Sequence, residues 1–156
     1  MNTPLAGMKI AAMAANGFQE DHLITMQKML RDQGASVKII STDSGLISGM
    51  SQGNWGHSHA VDEQLNVALG VDYSAVIVLG GESSHAKFKK TAHTKRFIGS
   101  FQTSQKPVIV LGDAIALLDA TGQMNDSVMA IDEMTDENKA AMIAFLMNNN
   151  DMDVAA

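Results

Sequence analysis

KPVIVLGDAIALL, which runs from Lys106 to Leu118, is the stretch of sequence that decides the fold. Its first half is a continuous run of mostly branched apolar residues, which is typical of a strand buried on both faces of a parallel sheet. Gly112 and Asp113 interrupt this run, and Ala114–Leu118 then has the composition of a beginning helix. Open α/β proteins place their functional residues at such turns, at the carboxyl edge of the sheet. The stretch therefore predicts a parallel sheet and the position of its functional crevice.

Further apolar strands are predicted on both sides of this stretch. They cover Met8–Ala14, Ser36–Ser41, Ala75–Leu79 and Val128–Ile131, and segments with helical spacing of apolar residues separate most of them. Strands that alternate with helices predict a three-layer α/β/α sandwich with a mostly parallel sheet in flavodoxin-like strand order. The length favours a single domain over residues 1–156.

Polar residues mark the predicted starts of the helices. Asp21, Asp62, Thr94 and Thr135 are each expected to cap a helix, because their side chains accept hydrogen bonds from the first amides of a helix. The helix that begins at Asp62 is predicted to be short. Glycines recur through residues 45–56, which predicts a loop with a small hairpin.

Composition and charge exclude several classes of function. The 156 residues include no cysteine, which excludes disulfides, thiolate metal sites and cysteine nucleophiles. A formal net charge of -6 argues against nucleic acid or an anionic membrane as a partner. The chain has no apolar run of membrane length and no signal-peptide pattern at its start, so a cytoplasmic location is expected. The basic cluster Lys87–Lys90 is interpreted as a solvated face.

Residues at predicted strand ends are the main candidates for a functional site. Gly80 and Gly81 follow a strand, and their amides could bind an anion or stabilise an oxyanion, although such glycines also form ordinary tight turns. Asp113 could accept a hydrogen bond in the crevice or, as is commoner there, cap the following helix. His22 lies early in the first helix and could act as a base, but an ordinary histidine at a helix start is the commoner case.

Three other features are weaker candidates. His57 and His59 face the same way on an extended segment, which allows a metal pair, but no third ligand is evident in the sequence. The segment Ser83–His85 places serines beside a histidine, yet neighbours in sequence seldom have the geometry for nucleophilic attack. Trp55 is either buried over the core or an exposed interface anchor, and burial is expected.

The chain resembles the ThiJ/PfpI superfamily from Met8 to about Gly122. This superfamily includes intracellular-protease-like proteins and enzymes of the glyoxalase or deglycase type. The motifs that carry the resemblance are NGFQEDHL at 16–23, GASVKIIS at 34–41, VDEQL at 61–65, DYSAVIVLGG at 72–81 and the opening stretch. The resemblance implies a fold like that of class I glutamine amidotransferases.

The resemblance also implies that the catalytic side chains are lost. Active members carry a glutamate in the first helix, a cysteine at the strand-to-helix turn and a histidine directly after it. The corresponding residues here are His22, Gly112 and Asp113. Gly80 and Gly81 match the oxyanion-type glycines of the superfamily. A crevice without its thiolate cannot run the covalent mechanism, so a non-catalytic domain without cofactor or metal is expected.

The turn Gly112-Asp113-Ala114 also resembles the cysteine-free turn in the C-terminal domains of large-subunit catalases. In those catalases the domain lies outside a haem tetramer and does not bind the haem. This second resemblance implies a stress-related or catalase-associated module for interaction or chaperone-like work, either free-standing or a fragment. Its expected partners are further copies of the chain in a dimer or larger homo-oligomer, a catalase core, or client proteins.

Two alternatives to the non-catalytic module remain open at this point. One is an enzyme with a rebuilt site, of the hydrolase or glyoxalase and deglycase type, in which His22 and Asp113 act as base and acid beside Gly80 and Gly81. The other is a binding site for a small anion or a nucleotide in the same crevice, formed by the glycine amides.

Overall fold

The computed structural model describes residues 5–51, 53–125 and 127–155, with side chains up to residue 147. The strands are β1 (Lys9–Met13), β2 (Phe18–Gln19), β3 (Ser36–Ser41), β4 (Leu46–Ser51), β5 (Asn54–Ala60), β6 (Glu63–Gln64), β7 (Ala75–Val78), β8 (Val108–Leu111) and β9 (Val128–Ile131). The helices are α1 (Glu20–Asp32), α2 (Glu82–Lys89), α3 (Ala92–Thr103), α4 (Ile115–Thr121) and α5 (Asp136–Ala155). Within these described ranges, no helix combines the length and the apolar character that crossing a membrane requires.

The central sheet is parallel throughout. Within the described residues its six strands stand in the order β6-β3-β1-β7-β8-β9, and every neighbouring pair is parallel. Without the two-residue edge strand β6, the strands follow the order second, first, third, fourth, fifth along the chain, which is the flavodoxin-like order. The predicted fold class is therefore confirmed, together with the five predicted strands.

Helices cover both faces of this sheet and enclose two separate apolar cores. Side chains alternate between the faces of a strand, so Ile10 and Ala12 join one core, and Ala11 and Met13 join the other. Helices α1 and α5 pack on the first core, whereas α2, α3 and α4 pack on the second. This arrangement is the predicted three-layer sandwich.

A second, smaller sheet lies beside the carboxyl edge of the central sheet. In it β2 pairs with β4 in parallel, and β4 pairs with β5 as an antiparallel hairpin whose register shifts between Ser48 and Met50. The predicted hairpin is thus confirmed, and it extends further along the chain than expected, to Ala60. We call residues 46–60 the hairpin.

Three of the predicted helix caps are wrong. Asp62 begins no helix, because its carboxylate accepts a hydrogen bond from the amide of Ile39 at 2.7 Å and the next two residues pair with β3. Asp21 lies inside the first turn of α1, whose N-cap position is Gln19. Thr94 is buried and its hydroxyl donates to the carbonyl of Phe88 at 2.7 Å.

Thr91 caps α3 in place of Thr94, since its hydroxyl accepts from the amide of His93 at 3.2 Å. The prediction at Thr135 agrees with the structure, in which its hydroxyl accepts from the amide of Asn138 at 3.1 Å. Helix α2 was not predicted at all. Phe88 is its one large buried apolar side chain, so the sequence shows no helical periodicity there.

Candidate functional site

The turn after β8 begins with a glycine, so its first position offers no side chain. Gly112 has a φ of +58°, in the left-handed region that favours glycine, and it opens a 3₁₀ turn that leads into α4. A β-carbon on Gly112 would lie 2.9 Å from Oε1 of Gln19 and 3.5 Å from Cε1 of His22. Gln19 of β2 and His22 of α1 therefore lie against the place that a side chain at position 112 would occupy.

Asp113 forms a hydrogen bond with Gly81 and does not cap the helix. Its Oδ1 accepts a hydrogen bond from the amide of Gly81 at 2.7 Å. The N-cap position of α4 is Ala114, which makes no capping bond through its side chain, so the capping role expected for Asp113 is wrong. The amide that sequence analysis offered to an anion is occupied by a carboxylate of the protein itself.

His85 stands on the other side of Asp113. The ring is buried, and its Nε2 lies 3.6 Å from Oδ1 of Asp113, without a hydrogen-bond partner. Burial lowers the pKa of His85 and outweighs the opposing effect of the Asp113 carboxylate, which favours the neutral ring. Ser84 is turned toward the central sheet, where its hydroxyl accepts from the amide of Ala15 at 3.0 Å. Ser84 and His85 therefore do not form a nucleophile and base.

His22 is buried and faces the same turn, unlike the ordinary histidine at a helix start that was the commoner expectation. Its Nε2 lies 3.4 Å from the side-chain nitrogen Nε2 of Gln19, while its Nδ1 has no hydrogen-bond partner among the described residues. A β-carbon on Gly112 would lie 3.7 Å from this Nδ1. A cleft of about 240 Å³ adjoins His22 and is lined by Thr25 and by the loop of Glu133. His22 thus lies beside Gly112, whereas Asp113 contacts Gly81 and His85 on the other side of the turn.

Glu20 is the residue of this region that sequence reasoning missed. Its carboxylate is buried and accepts from the backbone amide of His57 at 2.9 Å and from Nε2 of His59 at 2.7 Å. Nδ1 of His57 lies 3.4 Å from the other carboxylate oxygen. Burial disfavours ionisation, but the hydrogen bonds from the two histidines outweigh it, and the pKa of Glu20 lies below its ordinary value of 4.5.

The two histidines therefore share one partner, the carboxylate of Glu20, which precedes them by 37 and 39 positions in the sequence. No group of three or more histidine, cysteine, aspartate or glutamate residues that could hold a metal ion occurs in the part of the chain that the structure describes. Direct hydrogen bonds between Glu20 and His57 and His59 account for the alternating pattern that suggested a metal pair.

The lowered pKa of Glu20 predicts acid sensitivity. A carboxyl group whose pKa is lowered by folding adds stability that is fully present above its unfolded pKa and is lost as the pH falls through its folded pKa. We therefore expect the free energy of unfolding to decrease as the pH falls below about 4.5. In Glu20→Gln, the part of this decrease that is due to Glu20 is expected to be absent. Urea unfolding at a series of pH values from 3 to 7 measures both curves; parallel curves would contradict the prediction.

Two surface predictions are also decided by the structure. Trp55 is 63% exposed on the hairpin, so the expected burial is wrong and the exposed position is the one observed. Lys87 pairs with Asp43 at 2.8 Å, whereas Lys89 and Lys90 are exposed as expected of a solvated face.

Comparisons with known proteins agree on the fold. The ThiJ/PfpI domain protein from Brachyspira murdochii is 18% identical with a TM-score of 0.68, over 92% of this chain and 78% of that chain. Oxidized DJ-1 from Toxoplasma gondii is 14% identical with a TM-score of 0.69, over 90% of this chain and 87% of that chain. At these identities the likeness shows the fold alone.

A third solved structure is a two-domain protein from Anabaena variabilis, with DJ-1/ThiJ/PfpI-like and ferritin-like domains. It is 18% identical with a TM-score of 0.68, over 76% of this chain, and this chain spans 33% of its length. Among curated proteins, none matches the chain. The model of the DJ-1/PfpI family matches residues 8–148. The chain therefore belongs to the DJ-1/PfpI family.

Proposed function

We propose that this protein is a non-catalytic member of its family, which acts through interaction with other proteins. The observation that carries the proposal is that the turn after β8 has neither an attacking side chain nor a free amide at Gly81. Gly112 presents no side chain there, and the Gly81 amide, which could otherwise stabilise an oxyanion, binds the Asp113 carboxylate at 2.7 Å. A site that lacks an attacking group and fills its own anion position is poorly suited to covalent catalysis.

The remaining polar side chains do not replace the nucleophile. A general base acts only when a group to be activated lies within hydrogen-bond reach. Nδ1 of His22 has no hydrogen-bond partner among the described residues, so a proton donor for it to activate is lacking there. The atom nearest to the position of a β-carbon on Gly112 is the side-chain oxygen of Gln19, which carries no proton to give up. Asp113 is already engaged with Gly81.

An interaction role is supported by apolar side chains that lie on the surface. Val67, Leu69 and Val71 are each more than half exposed within one short segment before β7. Leu46 and Trp55 are also more than half exposed, on the hairpin. Exposed apolar groups gathered in this way are typical of surfaces that contact other proteins. The partners we propose are a second copy of the chain, client proteins, or a catalase core.

The proposal is tested by assaying the purified protein for turnover of glyoxal and of peptide substrates. We expect no turnover above the buffer rate, and no difference between the wild type and Asp113→Asn. Turnover that is present in the wild type and lost in Asp113→Asn would overturn the proposal. The interaction role is tested separately, by suppression of client aggregation at stoichiometric amounts, which we expect to weaken in Leu69→Ser together with Val71→Ser. Equal suppression by wild type and variant would count against this surface.

The second candidate function is an enzyme with a rebuilt site, and the unpartnered Nδ1 of His22 favours it. In this candidate His22 acts as the base that takes a proton from an attacking water, and Asp113 acts as the acid beside the amides of Gly80 and Gly81. This candidate requires that His22→Gln abolish turnover of the same substrates. Equal background rates in wild type and His22→Gln would exclude it.

A further inference from the structure

Glu20 joins the hairpin to the first turn of α1. Its two carboxylate oxygens receive the backbone amide and ring of His57 and the ring of His59, all from β5. Glu20 is 3% exposed and the His59 side chain is 17% exposed, so the shorter of these bonds lies away from solvent. Charged hydrogen bonds in such surroundings are stronger than neutral ones at a surface. We call Glu20, His57 and His59 the clasp.

The hairpin is shaped to receive this carboxylate. A β-carbon on Gly56 would collide with Oε1 of Glu20, and one on Gly49 would lie 2.6 Å from Cβ of Glu20. The ring of His59 also packs edge-on against Phe18, with 5.5 Å between ring centroids. Both strands of the hairpin therefore approach the start of α1 more closely than any side chain larger than hydrogen would permit at these two positions.

Gln19 and His22, one before and one shortly after Glu20 in the chain, face the turn that carries Gly112. The backbone of Gln19 donates to the carbonyl of Gly80 at 2.8 Å, and its side-chain oxygen covers Gly112. His22 lies on the same side of the first turn. A single helical turn thus bonds to the hairpin through Glu20 and covers the crevice through Gln19 and His22.

We propose that the clasp couples the hairpin to the crevice, so that release of the hairpin from Glu20 withdraws Gln19 and opens the space over Gly112. The connection between the clasp and Gln19 is short. Strand β2 contains Gln19, pairs with β4 of the hairpin, and runs directly into Glu20. Loss of the clasp frees β4 and β5 to move, and β2 moves with them because its backbone is paired to β4. This coupling stands whether or not the crevice performs chemistry.

The test uses a thiol as a reporter of crevice opening, because the chain has no cysteine of its own. Gly112→Cys supplies that thiol, and its reaction with a disulfide reagent is compared between Gly112→Cys alone and Gly112→Cys with Glu20→Gln. Amide hydrogen exchange of β5 is measured in parallel, without the cysteine. Trp55, the one tryptophan of the sequence, reports hairpin release by fluorescence. Asp21→Asn is the matched control, because Asp21 neighbours Glu20 and also bonds the hairpin, but only through an exposed contact with the hydroxyl of Ser51.

We expect Glu20→Gln to speed β5 exchange and the thiol reaction at least tenfold each, and Asp21→Asn to change neither by more than twofold. Unchanged β5 exchange in Glu20→Gln would show that Glu20 does not hold the hairpin. Faster exchange with an unchanged thiol reaction would show that hairpin and crevice are independent, and either result overturns the proposal. Should Glu20→Gln fail to fold, His59→Phe removes one bond of the clasp while keeping a ring against Phe18. Absence of turnover bears only on the proposed function and leaves this coupling unaffected.

Discussion

Gly81→Ala is expected to destabilise the protein by roughly 3 kcal/mol or more, a large fraction of the stability of a typical domain. Gly81 has a φ of +126°, which residues with a β-carbon rarely adopt. In addition, the new β-carbon would collide with the carbonyl oxygen of Gly17 and lie 2.9 Å from Cα of Phe18. These are backbone atoms, and Gly17 is itself bonded through its amide to Ser48 of the hairpin at 2.9 Å. The clash therefore cannot be relieved by a side-chain rotation.

The matched control for this prediction is Gly45→Ala. Gly45 also has a positive φ, of +81°, but nothing lies within 4 Å of the position of its β-carbon. Its cost is limited to the backbone conformation, about 1 to 2 kcal/mol. Urea unfolding of the three proteins measures the difference. Equal destabilisation by Gly81→Ala and Gly45→Ala would show that the close approach of Gly81 to Gly17 has no energetic weight.

The central sheet was predictable from sequence because its strands are defined by local composition. Buried parallel strands such as VIVL at 108–111 and AVIV at 75–78 are continuous apolar runs, and the glycines that follow mark their ends. The positions of Gly112 and Asp113 at the carboxyl edge follow from the same pattern. The helix starts predicted at Asp62 and Thr94 are wrong because residue type alone does not say which backbone group a polar side chain bonds. Asp62 bonds the amide of Ile39 and Thr94 bonds the carbonyl of Phe88, and neither bond is a helix cap.

The contacts inside the site were not predictable in this way. Asp113 bonds to Gly81 across 32 positions in sequence, and Glu20 bonds to His59 across 39. Neither pairing has a signal in local periodicity, since both depend on where the hairpin and the turns meet in space. The alternation of His57 and His59 did indicate a shared function, but its partner could be identified only once α1 was placed beside β5.

Gly56→Ala is expected to cost about 2 to 3 kcal/mol in the free energy of unfolding, although Gly56 lies in an exposed strand. The added β-carbon would collide with Oε1 of Glu20 and lie 2.9 Å from its carboxyl carbon. To avoid the new β-carbon, Oε1 of Glu20 has to leave the ring of His57, and the rotation this requires strains the bonds of Oε2 to the His57 amide and to His59 around a buried carboxylate. An exposed glycine in a strand would otherwise change stability little, or even favourably, when replaced by alanine.

Measuring the effect of Gly56→Ala in two backgrounds, the wild type and Glu20→Ala, distinguishes a collision with Glu20 from an effect on the strand backbone. If the collision with Glu20 is responsible, the cost of Gly56→Ala falls below about 1 kcal/mol once Glu20 is absent, because interacting residues are non-additive. An equal cost in both backgrounds would assign it to the strand backbone and would remove the steric argument for the clasp. Non-additivity would mean that Gly56 and Glu20 act as one unit, and Gly49 and Gly56 would then be explained by the Glu20 side chain that they contact and not by turn formation.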